Sequence, residues 1–101
     1  MHIEAKNLEI IKGILQKCVP ESEVRAYGSR VHGENLKKFS DVDLAVMGEE
    51  PIDGMVCAKL EDAFEESDLP YKVDVLDWSK TNESFRKKIL AHFEVIQIAK
   101  K

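Results

Sequence analysis

The stretch Asp41-Val42-Asp43-Leu44-Ala45-Val46 constrains this chain more than any other. Its side chains alternate, with Val42, Leu44 and Val46 on one side and Asp41, Asp43 and Ala45 on the other. A strand of this pattern needs a sheet with one face packed against apolar cover. Its other face must then carry two carboxylates side by side.

The surrounding segments supply that cover. Leu8, Ile11, Leu15 and Cys18 step at helical spacing and predict a helix over residues 4–18, stopped by Pro20. Residues 23–27 read as a strand running into Gly28. Residues 29–32 read as a helical turn, and residues 34–39 as a polar loop. The alternating strand covers 41–47. Asp53 is a plausible N-cap for a helix over 54–67, with Val56, Leu60, Ala63 and Phe64 on its apolar face. Leu69-Pro70 breaks it, and residues 71–76 predict a third strand. Thr81 or Asn82 caps a helix through about His92, with Phe85, Ile89 and Leu90 facing inward. Residues 94–98 alternate as an edge strand. Met55, Val95 and Ile98 are expected in the core or at a subunit interface. The order argues for an α+β domain: a small mixed sheet with helices packed mainly on one face. At 101 residues, 1–101 is expected to be one domain.

Composition narrows the function classes. The net charge of −4 speaks against general nucleic-acid binding, which depends on Lys and Arg neutralising phosphates. No apolar run approaches the roughly 20 residues of a spanning helix. The N-terminus lacks the basic and apolar regions of a secretory signal, so the expected compartment is the cytosol. Cys18 and Cys57 have no metal-ligand spacing and read as buried thiols.

The chemistry lies in two short motifs. Paired carboxylates on one strand face repel unless a cation lies between them, and hard oxygen donors suit Mg²⁺ or Mn²⁺. Gly28-Ser29 offers a turn in which backbone approaches a ligand closely. A helical turn after it would aim N–H groups at an anion. The Ser29 hydroxyl and Arg30 stand ready to add contacts. A third carboxylate is sought on the next strand, where Asp74 and Asp77 are both available. Asp74, inside the apolar run, is preferred, because a carboxylate there needs a partner. Trp78 reads as an anchor for the last helix and Arg86-Lys87-Lys88 as a solvated helix face. His32 reads as a surface-loop residue.

Taken together, Gly28-Ser29, Asp41-x-Asp43 before Leu44-Ala45-Val46, and Asp74 in Lys-Val-Asp-Val-Leu resemble the nucleotidyltransferase superfamily that includes DNA polymerase beta. The smallest branch, the minimal nucleotidyltransferase (MNT) proteins, is most similar. Eleven residues separate Ser29 from Asp41, one more than the commonest family spacing. The extra residue falls in the loop over 34–39, where insertion costs little.

The resemblance implies a polymerase beta palm-like fold and the following roles. Gly28 and Ser29, helped by Arg30, would bind the phosphates of ATP. Asp41 and Asp43 would hold Mg²⁺. Asp74 would be the catalytic base and a ligand of a second ion. AMP would pass from ATP to a hydroxyl. The implied partner is a HEPN-domain toxin, adenylylated on a tyrosine by an MNT antitoxin. A partner chain or a second copy would complete the acceptor site. Two alternatives stand beside this: an antitoxin that works by occlusion with little turnover, and the catalytic subunit of a small-molecule nucleotidyltransferase.

Overall fold

A computed structural model describes residues 3–28 and 41–99. Helix α1 (Ala5–Cys18) leads to strand β1 (Val24–Tyr27) and then strand β2 (Val42–Val46). Helix α2 (Gly54–Glu66) precedes strand β3 (Val73–Asp77) and a single 3₁₀ turn (Trp78–Lys80). Helix α3 (Glu83–Ala91) and strand β4 (Phe93–Gln97) complete the order. The sheet runs β3-β2-β1-β4. β2 pairs parallel with β3, and β1 pairs antiparallel with both β2 and β4. The mixed sheet and helix cover match the expected α+β class.

Each element starts and stops for local reasons. Asp53 caps α2 by accepting from the Met55 amide at 2.8 Å, and Asn82 caps α3 by accepting from the Phe85 amide at 2.8 Å. Beneath one face of the sheet, Ile11 and Leu15 of α1 and Leu60 and Phe64 of α2 meet Val24, Ala26, Val42, Leu44 and Val46. Val42, Leu44 and Val46 are the positions that the alternating pattern assigned to the packed side. Gln97 closes the opposite end, its Nε2 donating to the carbonyls of Val19 and Ser22 at 2.7 and 2.8 Å.

The other face is covered differently. Tyr27 and Phe85 meet edge to face, with ring centroids 6.0 Å apart, which sets α3 against the face bearing Tyr27. Ala45 and Ile89 are buried yet lie outside the main core cluster. Of the three α-helices among the described residues, α1 and α2 build the main core, while α3 partly covers the acidic face.

Several expectations change. Met55, Val95 and Ile98 are not core residues: they are 73, 44 and 79% exposed. Leu90, expected inside, is 47% exposed. A short α3 buries one narrow stripe, and Ile89 occupies it. Cys18 and Cys57 are free thiols of intermediate burial rather than buried ones. β3 runs through Asp77 rather than ending at Leu76. Arg86 is no solvated charge. It donates to the Trp78 carbonyl at 2.7 Å and stacks 4.9 Å above the Trp78 ring. Trp78 does anchor α3, as expected. No helix is long and apolar enough to cross a membrane among the described residues.

Candidate active site

Parallel pairing of β2 with β3 sets Asp43 directly beside Asp74. Partners in register project to the same sheet face, so both carboxylates leave the apolar core behind. Asp41 sits exposed one residue before β2, on the same side by the two-residue period. Antiparallel pairing across β2's other edge puts Tyr27 opposite Asp43.

Gly28 follows Tyr27 with φ of +84°, a conformation that side chains rarely adopt. A Cβ there would lie 2.5 Å from Asp43 Oδ2. Glycine therefore does two things at this corner. It makes the turn, and it leaves the room that the Asp43 carboxylate occupies.

The electrostatics follow from this crowding. Burial first, then the negative charges of Asp74 and Asp41, push the Asp43 carboxyl up to about 6. Burial and the same field from Asp43 and Asp74 push the Tyr27 phenol up to about 12. Among the described residues, negative charge is in excess here. The cation drawn to it is Lys72, whose Nζ lies 3.5 Å from Asp74 Oδ1. That pair is open to water, the lysine side chain being 74% exposed and the aspartate 45%, so it neutralises little.

These carboxylates suit a divalent cation by donor type and unbalanced charge. They are neighbours rather than a closed cage. Among the described residues, no group of three or more His, Cys, Asp or Glu side chains is gathered closely enough to hold an ion. An ion bound here would have to draw Asp41 and Asp74 toward Asp43.

Asp77, the other aspartate weighed as the third acid, has a different task. Its Oδ1 accepts from the Ser79 amide and hydroxyl at 3.0 and 2.7 Å. Its Oδ2 accepts from the Ile52 amide at 2.9 Å. Burial alone would raise its carboxyl, but these bonds together with Lys80 outweigh burial and hold it below the usual range. Asp77 is thus committed to capping the 3₁₀ turn and tying down the approach to α2, which leaves Asp74 as the acid beside Asp43. Ser29, Arg30 and His32 lie outside the described residues.

Sequence reasoning missed one contributor to the cluster, and Arg25 lies on the same face without joining it. Tyr27 joins the acidic cluster by cross-strand register, which no local pattern reveals. The alternation of Arg25 with Ala26 was the available sign that Arg25 shares this face. Its guanidinium sits 4.5 Å over the Phe93 ring and pairs with Glu23.

Comparison with known proteins identifies the family and the fold. Residues 9–101 match the family described as polymerase beta, nucleotidyltransferase. The chain is 50% identical over 97 residues to a probable protein adenylyltransferase MntA of Haemophilus influenzae, covering 96% of this chain and 84% of that one. A toxin–antitoxin crystal structure with AMP-PNP superposes with a TM-score of 0.71 at 21% identity, covering 89% of this chain and 72% of that one. The complex of the tri-AMPylated HEPN toxin of Shewanella oneidensis with its MNT antitoxin gives a TM-score of 0.67 at 17% identity. That match covers 93% of this chain and 71% of the other. At those identities the two structures speak for the fold.

Proposed function

This chain belongs to the polymerase beta-type nucleotidyltransferase family, in its minimal branch, and we propose that it transfers AMP from ATP to a tyrosine hydroxyl of a HEPN-domain toxin, acting as the antitoxin. The observation that carries the reading is the side-by-side register of Asp43 and Asp74, with Gly28 opened against Asp43. The 50% identity to a probable protein adenylyltransferase supports a protein acceptor.

Asp41 and Asp43 would hold Mg²⁺, and Asp74 would share a second ion. The ions, when bound, neutralise charge on the phosphate oxygens. Gly28, with Ser29 and Arg30, would bind the phosphates of ATP. Asp74 accepts the proton of the acceptor hydroxyl. The freed oxygen forms a bond to the α-phosphorus, and the bond to pyrophosphate breaks on the opposite side. Tyr27 keeps its own proton under the field of Asp43 and Asp74 and fills the floor between β1 and β2. The free thiols suit a cytosolic setting, where ATP is also at hand.

The test is intact-mass measurement of the HEPN-domain protein encoded beside the gene, after incubation with this protein, ATP and Mg²⁺. Whole AMP units added to the partner are expected. A tight complex with no added mass would sink the catalytic reading in favour of occlusion.

A further inference from the structure

We infer that the cleft between α2 and the outer edge of β3 seats the acceptor: an extended segment of the partner protein carrying the target tyrosine, an apolar residue beside it and basic residues beyond. This deepens the adenylyl-transfer reading and rests on it.

The cleft has a volume of about 600 Å³, within the usual range for ligand sites. Asp74 is one of the residues lining it, so whatever fills the cleft lies beside the proposed base. A general base must reach its proton within hydrogen-bond distance. An acceptor bound on the far β4 side of the sheet would have to cross β1 and β2 to meet Asp74.

The cleft also has the character of a peptide site. β3 is a terminal strand of the sheet, paired with β2 alone among the described residues. Val73, Asp74 and Val75 all border the cleft, so it follows the strand's outer edge rather than one face of it. An extended chain laid along that edge would add a strand through main-chain hydrogen bonds. Successive side chains of such a segment point to opposite faces. A tyrosine alongside Asp74 would project to the acidic face. Its neighbour would project to the α2 side, where the half-buried Leu69 offers an apolar contact beside the buried Phe64.

Charge supplies the remaining specificity. Glu61 and Glu65 of α2 are exposed, one turn apart, and both border the cleft. Like charges at that spacing destabilise a helix and are relieved by a cation between them. With Asp74, three acids face one base, Lys72, around the opening among the described residues. Lysine or arginine flanking the acceptor tyrosine fits that imbalance, and an acidic flank is repelled.

The experiment compares the parent with E61K/E65K and, as a milder second variant, E61Q/E65Q, using the HEPN-domain protein encoded beside the gene as acceptor. Folding is checked by circular dichroism. The charge reversal should raise the KM for the partner about tenfold or more while the KM for ATP stays unchanged, and the neutral variant should fall between. Hydrogen exchange adds an independent reading: amides of residues 73–75 should slow when the partner binds, with or without ATP. An unchanged partner KM in an active E61K/E65K enzyme overturns the cleft assignment. So does a complex whose β3 amides exchange as fast as in the free protein. A parent that transfers no AMP but whose β3 amides become protected overturns the chemistry and supports the cleft as the docking site.

Discussion

Replacing Asp43 with Asn should make the metal-free protein more stable while abolishing its activity. Asn matches the shape of Asp, so Gly28 still has room for it. What changes is charge. The Asp43 carboxyl sits at about 6 instead of 3.8, because it is half-buried and faces Asp74 and Asp41. Each tenfold change in an ionisation constant corresponds to about 1.4 kcal/mol, so ionising a fully sequestered group shifted this far would cost about 3 kcal/mol. Asp43 is half open to water, and screening reduces this to about 1 kcal/mol. The sign follows from proton binding. The folded protein holds the Asp43 proton more tightly than the unfolded chain does, so stability falls as pH rises from about 4 to about 6. Above that window the penalty is complete. Asp43→Asn removes it, which for a domain of this size means a Tm higher by about 5 °C at neutral pH. At about pH 4, where the parent carboxyl is protonated, the two proteins should melt together. Thermal unfolding in EDTA, followed by circular dichroism at both pH values, decides the matter. A variant that melts at or below the parent at neutral pH would refute the crowding argument. So would a gain of equal size at pH 4.

Other perturbations test neighbouring parts of the account. Gly28→Ala should destabilise the fold by about 1 kcal/mol or more and abolish transfer, since its Cβ meets Asp43 Oδ2 and its φ is positive; denaturant unfolding and a transfer assay check both. Asp77→Ala should cost about 2 kcal/mol by stripping the Ile52 and Ser79 amides of their acceptor, seen as a lower urea midpoint, while ATP affinity by calorimetry changes little. Because the Asp77 carboxyl is held low, its contribution is complete above about pH 4 and is lost as pH falls through its folded-state value; the Asp77→Ala penalty should therefore shrink in acid. Leu60→Ala, at a fully buried core position, should cost about 2–5 kcal/mol by equilibrium unfolding.

The parts of this protein that were legible in its sequence are those governed by a local period. Alternation in Asp41–Val46 told which side chains face the core, and α1 and α2 buried the centres of their assigned stripes, Ile11 with Leu15 and Leu60 with Phe64, while Leu8, Cys18, Val56 and Ala63 are only partly buried. The strand-end position of Asp77 also told that a cap could satisfy it, as the Ser79 amide does, while β2–β3 register sets Asp74 beside Asp43. Properties set by tertiary pairing were not legible. Nothing local joins Tyr27 to Asp43 or places β4 beside β1. Arg86 looked like one of three solvated cations until the ring and carbonyl of Trp78 took it in. Whether Val95 and Ile98 lie in the core was not legible either, because alternation marks which residues share a side but not whether anything covers it, and β4 lies at the sheet's edge.

The most direct test of the central claim is calorimetric titration of ATP into the protein with Mg²⁺ and with EDTA, for the parent and for Asp41→Asn/Asp43→Asn. The account predicts that the parent binds ATP with Mg²⁺ and loses most of that affinity in EDTA, and that the double variant binds weakly in both. Equal affinity in all four titrations would contradict a nucleotide site built on these carboxylates.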